Sequence, residues 1–294
     1  QVGGRCEGAV RPILRNNLVR GCGQGMVLAG GVTNGLVAGN EFTDFGQGIL
    51  LTGAAGGILV QSNSFPRLSS NAVAINAAGG DGHQIIGNVL FATNYAVAIR
   101  LEAGTNHLVA SNTITLPGQH VLVLTGGNRL EGNRLEDTGV PVTGIVRIES
   151  PNAIGNLAVN NLIIGFNADS VAFNFVNGAR ASSAMSNLVL RAITAFDISG
   201  DFSNTVGVPV QPACQAFVGP AGTNGAGLGQ SPGVRLADGI LTIVSTNLVD
   251  AVSLLPEGGG TVTVDEGVYD GSFTLPRNTV VRGQGVGRTV LRAP

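Results

Sequence analysis

An asparagine followed two residues later by an apolar side chain recurs through most of this sequence. It stands at Asn17-Leu18-Val19, Asn40-Glu41-Phe42, Asn63-Ser64-Phe65, Asn88-Val89-Leu90, Asn112-Thr113-Ile114, Asn133-Arg134-Leu135, Asn161-Leu162-Ile163 and Asn187-Leu188-Val189. Successive asparagines are 23, 23, 25, 24, 21, 28 and 26 residues apart. Self-similarity at such a step marks a solenoid, propeller or array, in which each repeat buries its apolar side against its neighbours.

The residues around each asparagine decide between these. Behind it lie runs such as Gly35-Leu36-Val37-Ala38 and Leu108-Val109-Ala110, and ahead of it runs such as Ile49-Leu50-Leu51 and Ala96-Val97-Ala98-Ile99. Short runs of Val, Ile and Leu bounded by Gly, Asn and Ser read as strands between turns. Three residues before the asparagine stand Val37, Val60, Ile85, Val109, Leu130 and Ala158; two after it stand Val19, Phe42, Phe65, Leu90, Ile114, Leu135, Ile163 and Val189. Both columns are expected to point inward. Asn tolerates the left-handed backbone of a sharp corner, and stacked Asn side chains can hydrogen-bond from coil to coil. The Asn column is therefore expected to turn a corner and form a ladder. The fold class that follows is all-β, a parallel β-solenoid with at least one coil for each asparagine.

Composition agrees with this. There are 46 Gly, 44% of residues are hydrophobic and only 12% are charged, which fits a turn-rich ordered chain better than a helical or disordered one. A net charge of -2 with scattered Arg implies no nucleic-acid partner, because a phosphate-binding surface needs clustered positive charge. No run is long and apolar enough to span a membrane as a helix. Three cysteines, Cys6, Cys22 and Cys214, are too few for a disulfide scaffold; Cys6 with Cys22 is a candidate bridge and buried thiols the alternative.

Three segments are expected: repeats over 1–205, a Gly/Pro-rich linker over 206–238, and a distinct segment over 239–294. In the last, Asn247 to Leu255 reads as a short amphipathic helix, followed by strands at Thr261-Val262-Thr263-Val264, Ser272-Phe273-Thr274-Leu275 and Thr279-Val280-Val281-Arg282, ahead of a closing Thr289-Val290-Leu291-Arg292-Ala293-Pro294. Gly283-Gln284-Gly285 reads as a turn.

The run Asp250-Ala251-Val252 through Leu255-Pro256-Glu257-Gly258-Gly259-Gly260-Thr261-Val262-Thr263-Val264-Asp265-Glu266-Gly267-Val268-Tyr269, then Leu275-Pro276-Arg277-Asn278-Thr279-Val280-Val281-Arg282-Gly283-Gln284-Gly285, resembles the opening of pectin-lyase-like right-handed parallel β-helix proteins. The resemblance implies a three-sheet right-handed coil whose N-terminal end is capped by a short helix. Here that opening stands after the rungs it normally precedes. The segment 239–294, a cap helix with one further rung, is therefore read as closing its own chain, as stacking on another copy, or as part of a longer tandem array.

The first rung bears on this choice. Strand character begins at Gly8 to Leu14 with nothing ahead of it to cover the edge, and exposed β edges invite pairing. Val10, Ile13 and Leu14 at one end and Val280, Val290 and Leu291 at the other are the expected interface of a head-to-tail homopolymer.

The resemblance also implies polysaccharide lyases and esterases, which work through clustered carboxylates. Asp44, Asp81, Asp137, Asp169, Asp197 and Asp201 share no offset from the Asn marker, and Asp197 with Asp201 is the nearest approach to a pair. No catalytic residue, cofactor or metal ligand is assigned. His83 and His107 each stand five residues before their asparagine, with Asn128 and Asn156 continuing the column, and read as a polar turn stack. Gln24 and Gln47 read as another. The expected role is structural, at the cell surface or outside the cell. The rival is a carbohydrate-active enzyme, a lyase or esterase, or a glycan-binding module for an acidic polysaccharide.

Overall fold

The computed structural model describes residues 1–53, 55–92, 96–139, 144–165, 170–190, 194–198, 204–206, 213–219, 233–237, 240–255, 259–285 and 287–292. They fall into two compact units, Gln1–Pro209 and Val210–Pro294.

The first unit is a right-handed parallel β-helix with three faces. The first face stacks nine short strands, from Ile13–Arg15, Leu36–Ala38 and Leu59–Gln61 on to Thr205–Val206. The second and third meet in the long strand Glu41–Leu51, whose start pairs with Ser64–Arg67 and whose end pairs with Val73–Ala78. Beyond it the two faces separate, and the second continues through Val89–Phe91 and Thr113–Leu116. The third continues through Ala96–Ala103, Gly118–Val123 and Val146–Glu149.

Both inward columns are confirmed. Val37, Val60, Ile85 and Val109 pair in register on the first face, and Phe42, Phe65, Leu90 and Ile114 are buried on the second. Phe42 and Phe65 stack at 4.9 Å, with the Phe45 ring edge-on to both. A Cβ on Gly48 would come within 2.8 Å of Phe65 and 2.5 Å of the Ala74 carbonyl, so only glycine fits beside this aromatic cluster.

The asparagines form the ladder, between the first and second faces. At each step the Oδ1 of one Asn accepts both the backbone N–H and the Nδ2–H of the Asn one coil earlier, as when Asn88 donates to Asn112 at 2.9 and 3.0 Å. The remaining Nδ2–H reaches back to a first-face carbonyl, Ile85 in the case of Asn112. The left-handed residue at this corner is the one before each ladder Asn, not the Asn itself. Asn16, Gly39, Ser62, Gly87, Ser111, Gly132, Asn160 and Ser186 all have φ between 52° and 63°. The work divides in two: a small or polar residue makes the turn, and the next residue, its backbone relaxed, aims its amide along the solenoid.

Two further expectations are corrected at the first coil. Residues ahead of Gly8 do contribute, since Val2–Glu7 pairs in parallel with the third-face half of Leu18–Ala29. Its Gly-Gly-Arg-Cys-Glu sequence lacks the apolar alternation that flags a strand. Cys6 and Cys22 are both free thiols, not a bridge.

In the second unit, Ala213–Val218 lies between the parallel neighbours Ile240–Ser245 and Thr261–Val264, and Gly233–Ala237 pairs antiparallel with Ile240–Ser245. Ala213–Val218 and Gly233–Ala237 lie inside the stretch 206–238 read as linker, whose remaining residues fall largely outside those described. The helix Leu248–Ser253 is capped by Asn247, whose side chain accepts the amides of Val249 and Asp250, and it buries Leu248, Ala251 and Val252. After it come two stacked layers rather than one rung. Thr261–Val264 pairs with Val280–Arg282, and Gly267–Asp270 with Thr289–Arg292, whereas Ser272 to Leu275, expected as a strand, is irregular. Gly285 makes the expected turn, its carbonyl accepting the amides of Arg288 and Thr289.

Truncating a mid-ladder asparagine removes a buried side chain that makes four hydrogen bonds. Asn112→Ala is expected to cost about 3 kcal/mol, because its neighbours are left buried and unpaired. Asn17→Ala, at the exposed end of the ladder, is expected to cost well under half of that. Equal losses in urea unfolding of the two variants would show that the ladder is not cooperative with the core.

Candidate functional site

Three places in the molecule offer chemistry or binding. The first is the uncovered edge of the first coil. Its inward side chains Cys6, Leu14 and Val19 pack on the core on one side only, and all three are half-buried. Leu14 heads the inward column of Val37 and Val60, whereas Ile13 heads an outward column with Leu36 and Leu59. Val10, bridged to Thr33, and Ile13 are 73% and 62% exposed. In the second unit Val280, Val290 and Leu291 are also exposed, on strands that each have one strand partner among the described residues. Arg288 and Arg292 of that layer are tied to Glu266 and Asp270 at 2.7 Å.

The second place is a polar strip on the outside of the third face. Register brings Leu50, Asn76, Arg100, Leu122, Arg147 and Asn174 into one column. Arg100 pairs with Glu102 and Arg147 with Glu149, each two residues along its own strand. Asn76 is 4% exposed and donates to Glu102 at 3.0 Å. Among the described residues Asn76 Oδ1, Arg100 Nε and Arg147 Nε are buried without a hydrogen-bond partner. Buried polar groups ordinarily find partners, ordered water included, and these atoms are themselves shielded from the outer surface. The strip is invisible in the sequence, because these residues do not share one offset from the Asn marker.

The third place is a groove of about 650 Å³ at the corner between the third and first faces, lined by Glu102, Thr105, Asn106, Thr125, Asn152 and Ile154 among others. Beneath it runs the second polar stack. His83 and His107 lie face to face at 5.0 Å, and the column continues through Asn128, Asn156 and Ser182. The Gln24–Gln47 contact forms as well, at 3.3 Å.

Among the described residues the carboxylates do not converge. Asp44 is exposed on the second face, Asp81 sits at the groove corner accepting from Thr105, and Asp137 is buried at the end of Arg134–Asp137. Asp169 and Asp201 lie outside the described residues, as does the side chain of Asp197. Among the described residues no group of three His, Cys, Asp or Glu side chains is placed to hold a metal ion. Sequence reading missed the burial of Asp137. Burial raises its pKa, against the opposing pull of the Gly139, Gly118 and Thr138 amides and the Ser170 hydroxyl.

No family model matches this sequence, and no curated protein matches it. Among solved structures, that of the PL6 family alginate lyase AlyGC aligns with 99% of this chain, which spans 66% of that protein's length, at 12% identity and a TM-score of 0.25. An overlap that small bears on neither fold nor chemistry. No helix in the described residues is long and apolar enough to cross a membrane.

A carboxyl whose folded pKa is raised favours the native state below its ordinary pKa and opposes it once pH rises through the folded value. Asp137→Asn is therefore expected to melt higher than the parent at neutral pH, with the difference vanishing below about pH 4. A lower melting temperature at neutral pH would show that the ionised carboxylate is favourable where it stands.

Proposed function

We propose that this chain is a structural parallel β-helix that lengthens by stacking. Val280–Arg282 and Thr289–Arg292 of one copy add strands to the uncovered first coil of the next. The observation that carries the reading is that Leu14, Val19 and Cys6 pack against the core yet are only half-buried, unlike the inward residues of the next coil. Strand addition supplies backbone hydrogen bonds to the edge, and alternate side chains fill the core. The two surfaces differ, so the contact is head to tail and builds a filament unless it closes.

Magnitudes set the strength. Completing the burial of two or three side chains stabilises by roughly 1.5–3 kcal/mol each at most, and association costs at least ~4 kcal/mol. The strand hydrogen bonds must provide the surplus, so association is weak to moderate. Charge works against it. Arg11, Arg15 and Arg20 on the first coil are exposed with no ion pair among the described residues, and the opposing layer carries Arg282 besides its paired arginines. A location at the cell surface or outside the cell belongs to the same reading.

A second reading has an acidic polysaccharide lying along the third face, beside the partly exposed side chains of Arg100 and Arg147, which pair with Glu102 and Glu149. A lyase or esterase activity on pectin or alginate would put that reading first.

Light scattering with negative-stain microscopy separates the two. Rods growing in multiples of one subunit are expected, longer at ~0.5 M salt than at ~0.02 M because screening relieves the arginine repulsion. Leu14→Lys, or deletion of 241–294, is expected to abolish them. A protein that stays monomeric at every concentration and salt overturns the stacking reading.

A further inference from the structure

We propose that the stacked His83 and His107 form an acid-opened joint in an otherwise pH-insensitive ladder. The ladder runs along the corner ahead of the first face, and at each coil a side chain accepts the backbone N–H of the residue one coil earlier. His83 Nδ1 accepts from Ile58 at 3.3 Å and His107 Nδ1 from His83 at 3.2 Å. Asn128, Asn156, Ser182 and Asn204 do the same at 2.9–3.1 Å with amide or hydroxyl oxygens. Only the two imidazoles in this column can change their proton count in the physiological range.

The hydrogen bonds fix the tautomer. A backbone N–H only donates, so each Nδ1 must present its lone pair. The ring proton then sits on Nε2, which donates to the Gly79 carbonyl at 2.8 Å in His83 and to the Ala103 carbonyl at 3.0 Å in His107. Both nitrogens of both rings are thereby committed in the neutral form. A second proton on Nδ1 would set N–H against N–H, and it would place two like charges in rings 5.0 Å apart and almost fully buried.

Charged groups around the pair are few. Asp81, in the turn next to His83, attracts an imidazolium, but its carboxylate is exposed and held by the Thr105 amide and hydroxyl. On the strand leading to His107, Glu102 is engaged with Arg100 and Asn76. Burial outweighs the Asp81 attraction, pushing His83 down to about 4 and lowering His107 as well. Folded values below the ordinary 6.5 mean that the closed joint is fully favoured above that pH and loses stability as pH falls toward about 4.

The consequence is local. Protonation removes the acceptors of the Ile58 and His83 amides, while each Nε2–H keeps its carbonyl, Gly79 or Ala103, and the Asn ladder at the next corner stays intact. The buried His120 is a separate group, with Nε2 near the Glu136 carbonyl and Nδ1 near that of Gly118, at another corner of the coil.

Amide hydrogen exchange on the full chain, expressed as protection factors at about pH 7 and pH 4.5, tests the joint. The amides of Ile58 and His83 are expected to lose roughly tenfold or more protection on acidification, while that of Asn128 keeps its own. In the double variant His83→Asn, His107→Asn, which extends the chemistry already used at Asn128 and Asn156, the loss is expected to disappear. Unchanged protection in the parent, or the same loss in the double variant, overturns the proposal. Ring 15N shifts of the unmodified protein give an independent reading should the variant fail to fold. Titration of both rings near 6.5 with the Ile58 amide undisturbed would overturn it too.

Discussion

The structure depends on the coil-to-coil hydrogen bonds of the buried asparagines. A corner in a solenoid turns backbone N–H groups away from the strand ladders, and burying them unpaired costs more than a bond is worth. The Asn carboxamide meets that need with no charge. Its oxygen takes two donors from the coil below, and its nitrogen reaches one carbonyl behind and one oxygen ahead. Every coil is therefore incomplete without the next, and the apolar columns inside obey the same rule.

That rule shapes what the molecule can do. Where each layer is satisfied by its neighbour, a terminal layer has edges, a half-covered core and an acceptor to spare. Asn17 shows this in miniature: its amide and side-chain nitrogen are engaged by Asn40 and Arg15, and no donor among the described residues reaches its Oδ1. The proposed stacking would continue the same pattern of coil on coil, and the exposed arginines beside the first coil would temper it, as charges on β edges commonly do.

The two corner ladders solve the same problem with different chemistry. Asparagine fills every position between the first and second faces, whereas the column ahead of the first face uses His, His, Asn, Asn and Ser in turn. An imidazole matches a carboxamide as an acceptor only while it is neutral. Substituting one for the other keeps the geometry and adds a dependence on pH at two coils.

Much of this was legible in the sequence, because a solenoid writes its tertiary contacts as a period. The Asn ladder, both inward columns, the Gln24–Gln47 contact and the His83–His107–Asn128–Asn156 stack all follow from offsets around one marker. What fell outside did so for physical reasons. The left-handed turn residue is interchangeably Gly, Ser or Asn, so it carries no signature apart from the ladder residue beside it. Asn76, Arg100 and Arg147 share a strip only through strand register, since corners of unequal length break the common spacing between one face and the next. Asp137 reads as an ordinary polar residue at a strand end, and it is buried because it alternates with Leu135 on the inward side of Arg134–Asp137, in register with the buried Leu116. The sequence determined the repeat, its core and its polar stacks, since those contacts recur at one spacing. Only the tertiary structure decided which edges stay open and which polar atoms meet outside the coil, since those depend on the variable lengths between the repeats.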